Sequence, residues 1–167
     1  MKRTVDVFEL AREAASVQGQ LEAAELPRLS ALLTPPMGRI RFSFEGYIDE
    51  RGRTAARLRI EASLGLNCDL CGRRLQWALD ETSGFFFVDD EQQLAALPIE
   101  PEGEEPLLAS RRFDLQDLVE EQTILALPIS PRHPLCEEAL GSDRPEQAAN
   151  RPFAALGALK RGRTDIQ

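Results

Sequence analysis

The strongest periodicity in the chain is two. Ile40, Phe42, Phe44, Gly46 and Ile48 alternate with Arg41, Ser43, Glu45 and Tyr47, which predicts a strand with one apolar and one polar face. Asp49-Glu50-Arg51-Gly52 follows as a charged turn ending in glycine. From Thr54 to Cys68 the alternation resumes, with Ala56, Leu58, Ile60, Ala62, Leu64 and Leu66 on one face and Arg57, Arg59 and Glu61 on the other. After Cys68-Asp69-Leu70-Cys71-Gly72, Leu75, Trp77 and Leu79 fall in phase, and then Phe85 and Phe87. Gly84, with Glu81-Thr82-Ser83 before it, predicts a bulge between those halves. Three consecutive antiparallel strands account for the whole stretch.

Around this hairpin pair the period changes. Val5 to Ala15 places Phe8, Leu10, Ala11, Ala14 and Ala15 at helical spacing, and Val17 to Leu21 reads as a short strand. Glu25 to Leu33 reads as a helix with Leu26, Leu29, Leu32 and Leu33 in one stripe and Pro27 in its first turn. Thr34-Pro35-Pro36-Met37-Gly38 stops it. Asp114 is a good N-cap for a helix carrying Leu115, Leu118, Val119 and Leu125, with Asp117 and Glu120 near the positive end of its dipole. Pro128 and Pro131 end that helix. These elements predict one α+β domain over residues 1–140, with an antiparallel sheet, curled toward a small barrel in one version, flanked by helices. Residues 141–167 are expected to form a polar linker and a short C-terminal helix at Pro152–Lys160.

Charge changes the picture in one place and leaves it alone in another. The 167 residues hold 28 Asp and Glu against 20 Lys and Arg, a net charge of −8. That excludes a protein that coats nucleic acid by bulk charge. Residues 89–112 are expected to be an acidic, mobile loop within the domain, since Asp89 to Glu105 carries seven acidic residues and no basic one. From Arg39 to Arg74, by contrast, eight Arg stand against five acidic residues. Arg41, Arg57 and Arg59 fall on the polar face of the hairpin, where they can meet RNA phosphates with Tyr47 as a stacking ring. Arg73, Arg74, Lys160 and Arg161 extend the candidate set for contact with RNA or another partner. The competing reading is a solvated sheet face paired with Glu45 and Glu61. The acidic segments equally suit a basic partner such as a ribosomal protein.

Candidate chemistry is confined to four side chains. Cys68-x-x-Cys71-Gly72 falls at a hairpin tip, a spacing that lets two thiolates face one metal. His133 and Cys136, three apart after the proline stop, complete a Cys3His set suited to structural zinc. The alternative is a pair of reduced thiols, with Cys68 continuing the apolar phase of its strand. A thioredoxin-type role fits poorly, because the motif lies between strands and not at a helix N-terminus. His133 is the only histidine, and neither phosphate-binding glycine motif occurs, so no enzymatic activity is expected and no cofactor beyond zinc is implied. Asp6, Glu9, Arg12 and Glu13 interrupt any apolar run near Met1, and no stretch approaches 18 apolar residues. A signal peptide, a membrane span and a secreted disulfide framework are therefore not expected, and the cytoplasm is the default.

Three motifs together resemble the YceD family, the large ribosomal RNA subunit accumulation proteins of bacteria and plastids. They are Cys68-x-x-Cys71 after an alternating strand; the block from Phe113-Asp-Leu-Gln-Asp-Leu-Val-Glu-Glu-Gln to Ile129-Ser-Pro-Arg-His133, with Cys136 behind it; and Arg151-Pro-Phe-Ala-Ala-Leu-Gly-Ala-Leu-Lys160-Arg161. The acidic run Asp90-Glu-Gln-Gln-Leu-Ala-Ala-Leu-Pro98 is similar to the proteobacterial branch. The resemblance implies a non-catalytic cytoplasmic factor for 23S rRNA accumulation and large-subunit assembly, acting on rRNA or on a large-subunit protein. Relatives are commonly encoded beside such a protein. The runner-up is a zinc-stabilised protein–protein adaptor without RNA contact. The chain departs from many relatives in having Leu70 before the second cysteine, where they carry Arg, and in keeping only Cys136 of the late cysteines found in some branches.

Overall fold

The computed structural model describes residues 4–97 and 103–136. The three alternating segments form β3 (Gly38–Ile48), β4 (Thr54–Asn67) and β5 (Arg74–Val88), paired antiparallel in sequence order. β2 (Ser16–Glu22) joins along β3, antiparallel, and β6 (Glu105–Leu108) joins along β5, parallel. Among the described residues the result is one mixed five-stranded sheet in the order β2-β3-β4-β5-β6, open at both ends, so the closed-barrel version of the expectation is not adopted. A two-stranded antiparallel ribbon, β1 (Thr4–Val5) with β7 (Phe113–Asp114), stands apart from it.

The period-two pattern decides which face is covered. Ile40, Phe42 and Phe44 of β3, Leu58, Ile60 and Leu64 of β4, and Phe85 and Phe87 of β5 are all buried. Against them lie α1 (Val7–Arg12), through Val7, Leu10 and Ala11, and α4 (Leu115–Leu125), through Leu115, Leu118 and Val119. Each helix starts where its sequence provides a cap: the Asp6 carboxylate accepts from the Phe8 and Glu9 N–H groups, and that of Asp114 accepts from Asp117. Gly46 is where α1 comes closest to the sheet. A Cβ there would lie 2.6 Å from the Leu10 carbonyl carbon, so only glycine admits the helix.

Several expectations need correction. The register of β4 against β5 is unbroken from Ala55↔Phe86 to Asn67↔Arg74, so the bulge predicted near Gly84 is absent. Gly84 instead sits under Glu104, whose Cγ would be 3.1 Å from a Cβ at that position. The helix read over Glu25–Leu33 is shorter: a 3₁₀ turn at Ala23–Glu25, then α2 (Pro27–Ser30). Within the acidic stretch expected to be a loop, α3 (Glu91–Ala96) is capped by Asp90, and β6 returns to the sheet.

Glu120 does not attend its own helix dipole. It is buried, and its carboxylate accepts from the backbone N–H groups of Arg28 and Leu29 at 2.7 and 3.0 Å and from the Arg28 guanidinium at 3.3 Å. It thereby satisfies the orphan donors at the start of α2 and ties that helix to α4. The linker and helix expected after residue 140, with Lys160 and Arg161, lie outside the described residues.

Candidate metal centre and the arginine-bearing sheet face

The hairpin that joins β4 to β5 turns through residues 68–73. Cys68 donates its N–H to the Arg73 carbonyl at 2.9 Å, and Gly72 donates to the Cys68 carbonyl at 2.8 Å. Gly72 has φ +69°, a conformation that disfavours any side chain, so the glycine after the second cysteine is what lets the turn close. Cys68 is buried as the last apolar position of its strand phase, while Cys71 stands exposed at the tip.

A second stretch of chain is pinned to this turn. Asp69 donates its N–H to the Pro131 carbonyl at 2.9 Å, and its carboxylate accepts from the Ser130 hydroxyl at 2.7 Å. Sequence reading passed over Asp69 and Ser130, whose residue types carry no signal of their own. Immediately beyond, residues 133–136 make a tight turn, with the Cys136 N–H on the His133 carbonyl at 3.0 Å and Cys136 Sγ 3.5 Å from His133 Nδ1.

The donor atoms of Cys68, Cys71, His133 and Cys136 all lie within 4.8 Å of one another. Donors on a tetrahedron with metal–sulfur bonds of about 2.3 Å stand roughly 3.8 Å apart, so a modest contraction suffices to ligate. The donor set is soft: three thiols and an imidazole match zinc and match neither magnesium nor calcium. The four residues that spacing put forward are thus a cluster that can hold a metal.

The outer face of the sheet shows a different arrangement. Arg41 lies opposite Glu61 and bonds it at 3.0 Å, and Arg59 reaches both Glu61 at 3.0 Å and Asp80 at 3.1 Å. The hydrogen bonds to Asp80 and the charges of Asp80 and Glu61 raise the Arg59 pKa further above its ordinary value. Arg57 is exposed, with its guanidinium 5.7 Å from the ring centre of Tyr47. Arg41, Arg57, Arg59 and Glu61 line a shallow recess of about 510 Å³. Arg74 donates to the Pro36 carbonyl at 2.9 Å and to Gln76 at 2.7 Å, and Arg73 is exposed beside the cysteine turn.

Tyr47 is not presented as an open stacking ring. Its hydroxyl donates to the carboxylate of Glu104, which comes down from the chain entering β6 and also lies 3.5 Å from Arg53. Burial, then the bond to Glu104 and that residue's charge, push the Tyr47 pKa up to about 12. Arg53 in turn stacks 3.8 Å from the centre of the Phe86 ring and grips Asp49 at 2.6 Å. Burial raises the Asp49 carboxyl, but the N–H and guanidinium of Arg53 outweigh it and hold the group below its ordinary value. Glu104 is a third residue that sequence reading passed over, because one glutamate in an acidic run carries no pattern of its own.

The large ribosomal RNA subunit accumulation protein YceD family model matches residues 56–160, from near the start of β4 through the cysteine turn, α4 and His133. The chain belongs to the YceD family. A curated relative, the large ribosomal RNA subunit accumulation protein YceD of Haemophilus influenzae, is 27% identical over 167 residues, covering 94% of each chain. No solved structure matches. The resemblance read from the motifs is therefore correct at the level of family, and the α+β expectation holds. Among the described residues no helix is long and apolar enough to cross a membrane.

Proposed function

We propose that this YceD-family chain is a non-catalytic, cytoplasmic factor in the biogenesis of the large ribosomal subunit, supporting accumulation of 23S rRNA. The observation that carries this reading is the family match, which spans both halves of the cysteine–histidine cluster and the helix between them. Deleting the gene in the source cell and measuring 23S rRNA and mature large subunits tests it. Unchanged levels of both would sink it.

The direct contact is with a basic ribosomal protein. The outer face gives nucleic acid little to hold, because Arg41 and Arg59 already sit on Glu61 and Asp80, and a phosphate must displace those carboxylates. Exposed Asp80, Glu81, Asp89, Asp90, Glu91 and Glu105 along β5, α3 and β6 suit a cationic chain instead. A second reading, direct contact with rRNA through Arg41, Tyr47, Arg57, Arg59, Arg73, Arg74, Lys160 and Arg161, is favoured by Arg57, which is exposed and forms no ion pair among the described residues. Titrating a labelled 23S fragment across a salt series separates the two. Affinity that falls steeply with salt supports rRNA contact, while no binding at low salt supports the protein partner or an adaptor.

Zinc is the resident metal in this reading, held by Cys68, Cys71, His133 and Cys136. Bound there it supplies no reaction chemistry; it fixes the hairpin tip to the chain that follows α4. Metal analysis of purified, untagged protein should find about one equivalent of zinc, and less than about half an equivalent would remove the idea.

A further inference from the structure

Among the described residues the sheet ends on two strands with one neighbour each, and they are finished differently. β6 is four residues long, contains Pro106 and exposes Glu105. A short strand with proline and charge is closed to further pairing. β2 has neither device over Ser16-Val-Gln-Gly-Gln-Leu21, which is uncharged and free of proline.

The open groups of β2 can be assigned. The Gly46 N–H donates to the Ala15 carbonyl at 3.0 Å, and these two residues are the next opposed pair beyond Ser16↔Glu45. Hydrogen-bonded pairs alternate along an antiparallel ladder, so Val17, Gly19 and Leu21 commit their backbone groups to β3. Ser16, Gln18, Gln20 and Glu22 turn theirs to the edge. Among the described residues nothing else takes them up.

The side chains of this edge are symmetric about Gly19. Val17-Gln18-Gly19-Gln20-Leu21 presents the same chemistry read in either direction. A second copy laid antiparallel, with a two-fold axis at Gly19, sets Gln18 against Gln20 and Ser16 against Glu22. Those are the residues whose N–H and C=O groups face outward. Val17 then meets Leu21 on the inner face, and the glutamines meet on the outer face. No like charges oppose each other, and no side chain stands on the axis.

We propose that the β2 edge pairs with a second copy of this chain, joining five strands from each into one continuous sheet. A two-fold contact requires a self-complementary surface, and this strand is one. The contact is one strand wide, so the dimer falls among the weak, reversible interfaces.

Sedimentation of the full chain over about 1 to 200 micromolar should show monomer giving way to dimer, with the midpoint in that window. Gln20→Pro removes an edge-facing N–H that β3 does not use, so it should hold the chain monomeric to at least tenfold higher concentration with unchanged far-ultraviolet dichroism. A charge pair checks the register without proline. Gln18→Lys with Gln20→Lys opposes like charges and should abolish the dimer. Gln18→Glu with Gln20→Lys opposes unlike charges across the axis and should restore it. A chain that is monomeric at 200 micromolar, or a dimer indifferent to the two-lysine variant, overturns the proposal.

Discussion

The tip of the β4–β5 hairpin and the outer face of that same hairpin are both candidate contact sites by residue type, and they differ in where their polar atoms point. At the tip, four soft donors from two stretches of chain converge within 4.8 Å. On the face, Arg41 and Arg59 meet the carboxylates of Glu61 and Asp80 within the sheet itself. Soft donors gathered at one point are the arrangement a metal ion takes. Cations matched by neighbouring anions ask for little from outside. Counting residue types cannot separate these cases, since each site has the composition its function would need; geometry does.

The largest expected effect tests the convergent side. Cys71 stands exposed at the turn, so Cys71→Ser should cost little if the cluster is only a set of thiols. If the cluster holds zinc, that variant loses the metal and destabilises the fold by several kcal/mol, and a chelator does the same to the unsubstituted chain. Thermal melts with and without chelator read this directly. Equal melting temperatures would place the tip and the face in the same class.

Next in size is a buried ionic contact that serves as the internal standard. Glu120 receives two backbone N–H groups and a guanidinium, and its side chain is only 7% exposed. Glu120→Ala leaves those donors unpaired and should cost roughly 3 kcal/mol in urea unfolding. An effect below about 1 kcal/mol would mean that α2 and α4 dock by apolar contact alone.

A smaller effect reads the covered end of the outer face. Tyr47 is the only tyrosine, so absorbance of the phenolate follows that residue alone. Its midpoint should lie near 12, and Glu104→Gln should move it down toward the ordinary value of 10.0. The sign for stability follows. The neutral phenol is favoured in the folded state, so its contribution is complete below pH 10 and is lost as pH rises through about 12. A midpoint at 10 in the unsubstituted chain would release Tyr47 as an open ring and strengthen the RNA reading.

Much of the fold is legible in the sequence because period-two alternation is a direct consequence of one covered face. β3, β4 and β5, the turn at Asp49–Gly52 and the cap at Asp114 are all local signals. The parallel pairing of β6 is not, since Glu105-Pro-Leu-Leu has no alternation and its partner is fixed by the crossover through α3. Gly84 misled for a related reason: glycine in a strand marks either a bulge or a close neighbour, and only the structure shows Glu104 above it. At the site, the four metal-ligand candidates were identifiable because thiols and imidazole are scarce in this chain. Asp69 and Ser130, which bring the two stretches together, are common residues and gave no such signal.

The smallest effect bears most directly on the face. Arg59 and Asp80 are 53% and 63% exposed, and their bond lies along the sheet surface in reach of water and salt. Exposed pairs of this kind couple by about 0.2–1 kcal/mol, and most of that vanishes once the ionic strength shortens the screening length. A double-mutant cycle through Arg59→Ala and Asp80→Ala should therefore give a coupling under about 1 kcal/mol at low salt, falling toward zero near 0.5 M. The same cycle carries information about partners. With the pair intact, a phosphate must break it to reach Arg59; with Asp80→Ala, the guanidinium loses one of its two carboxylates. If the face contacts RNA in the native protein, Asp80→Ala should strengthen binding to a 23S fragment and Arg59→Ala should weaken it. If the partner is basic, the first substitution weakens its binding and the second leaves it unchanged or improves it. Opposite signs from two substitutions on one ion pair thus decide which charge on this face is used.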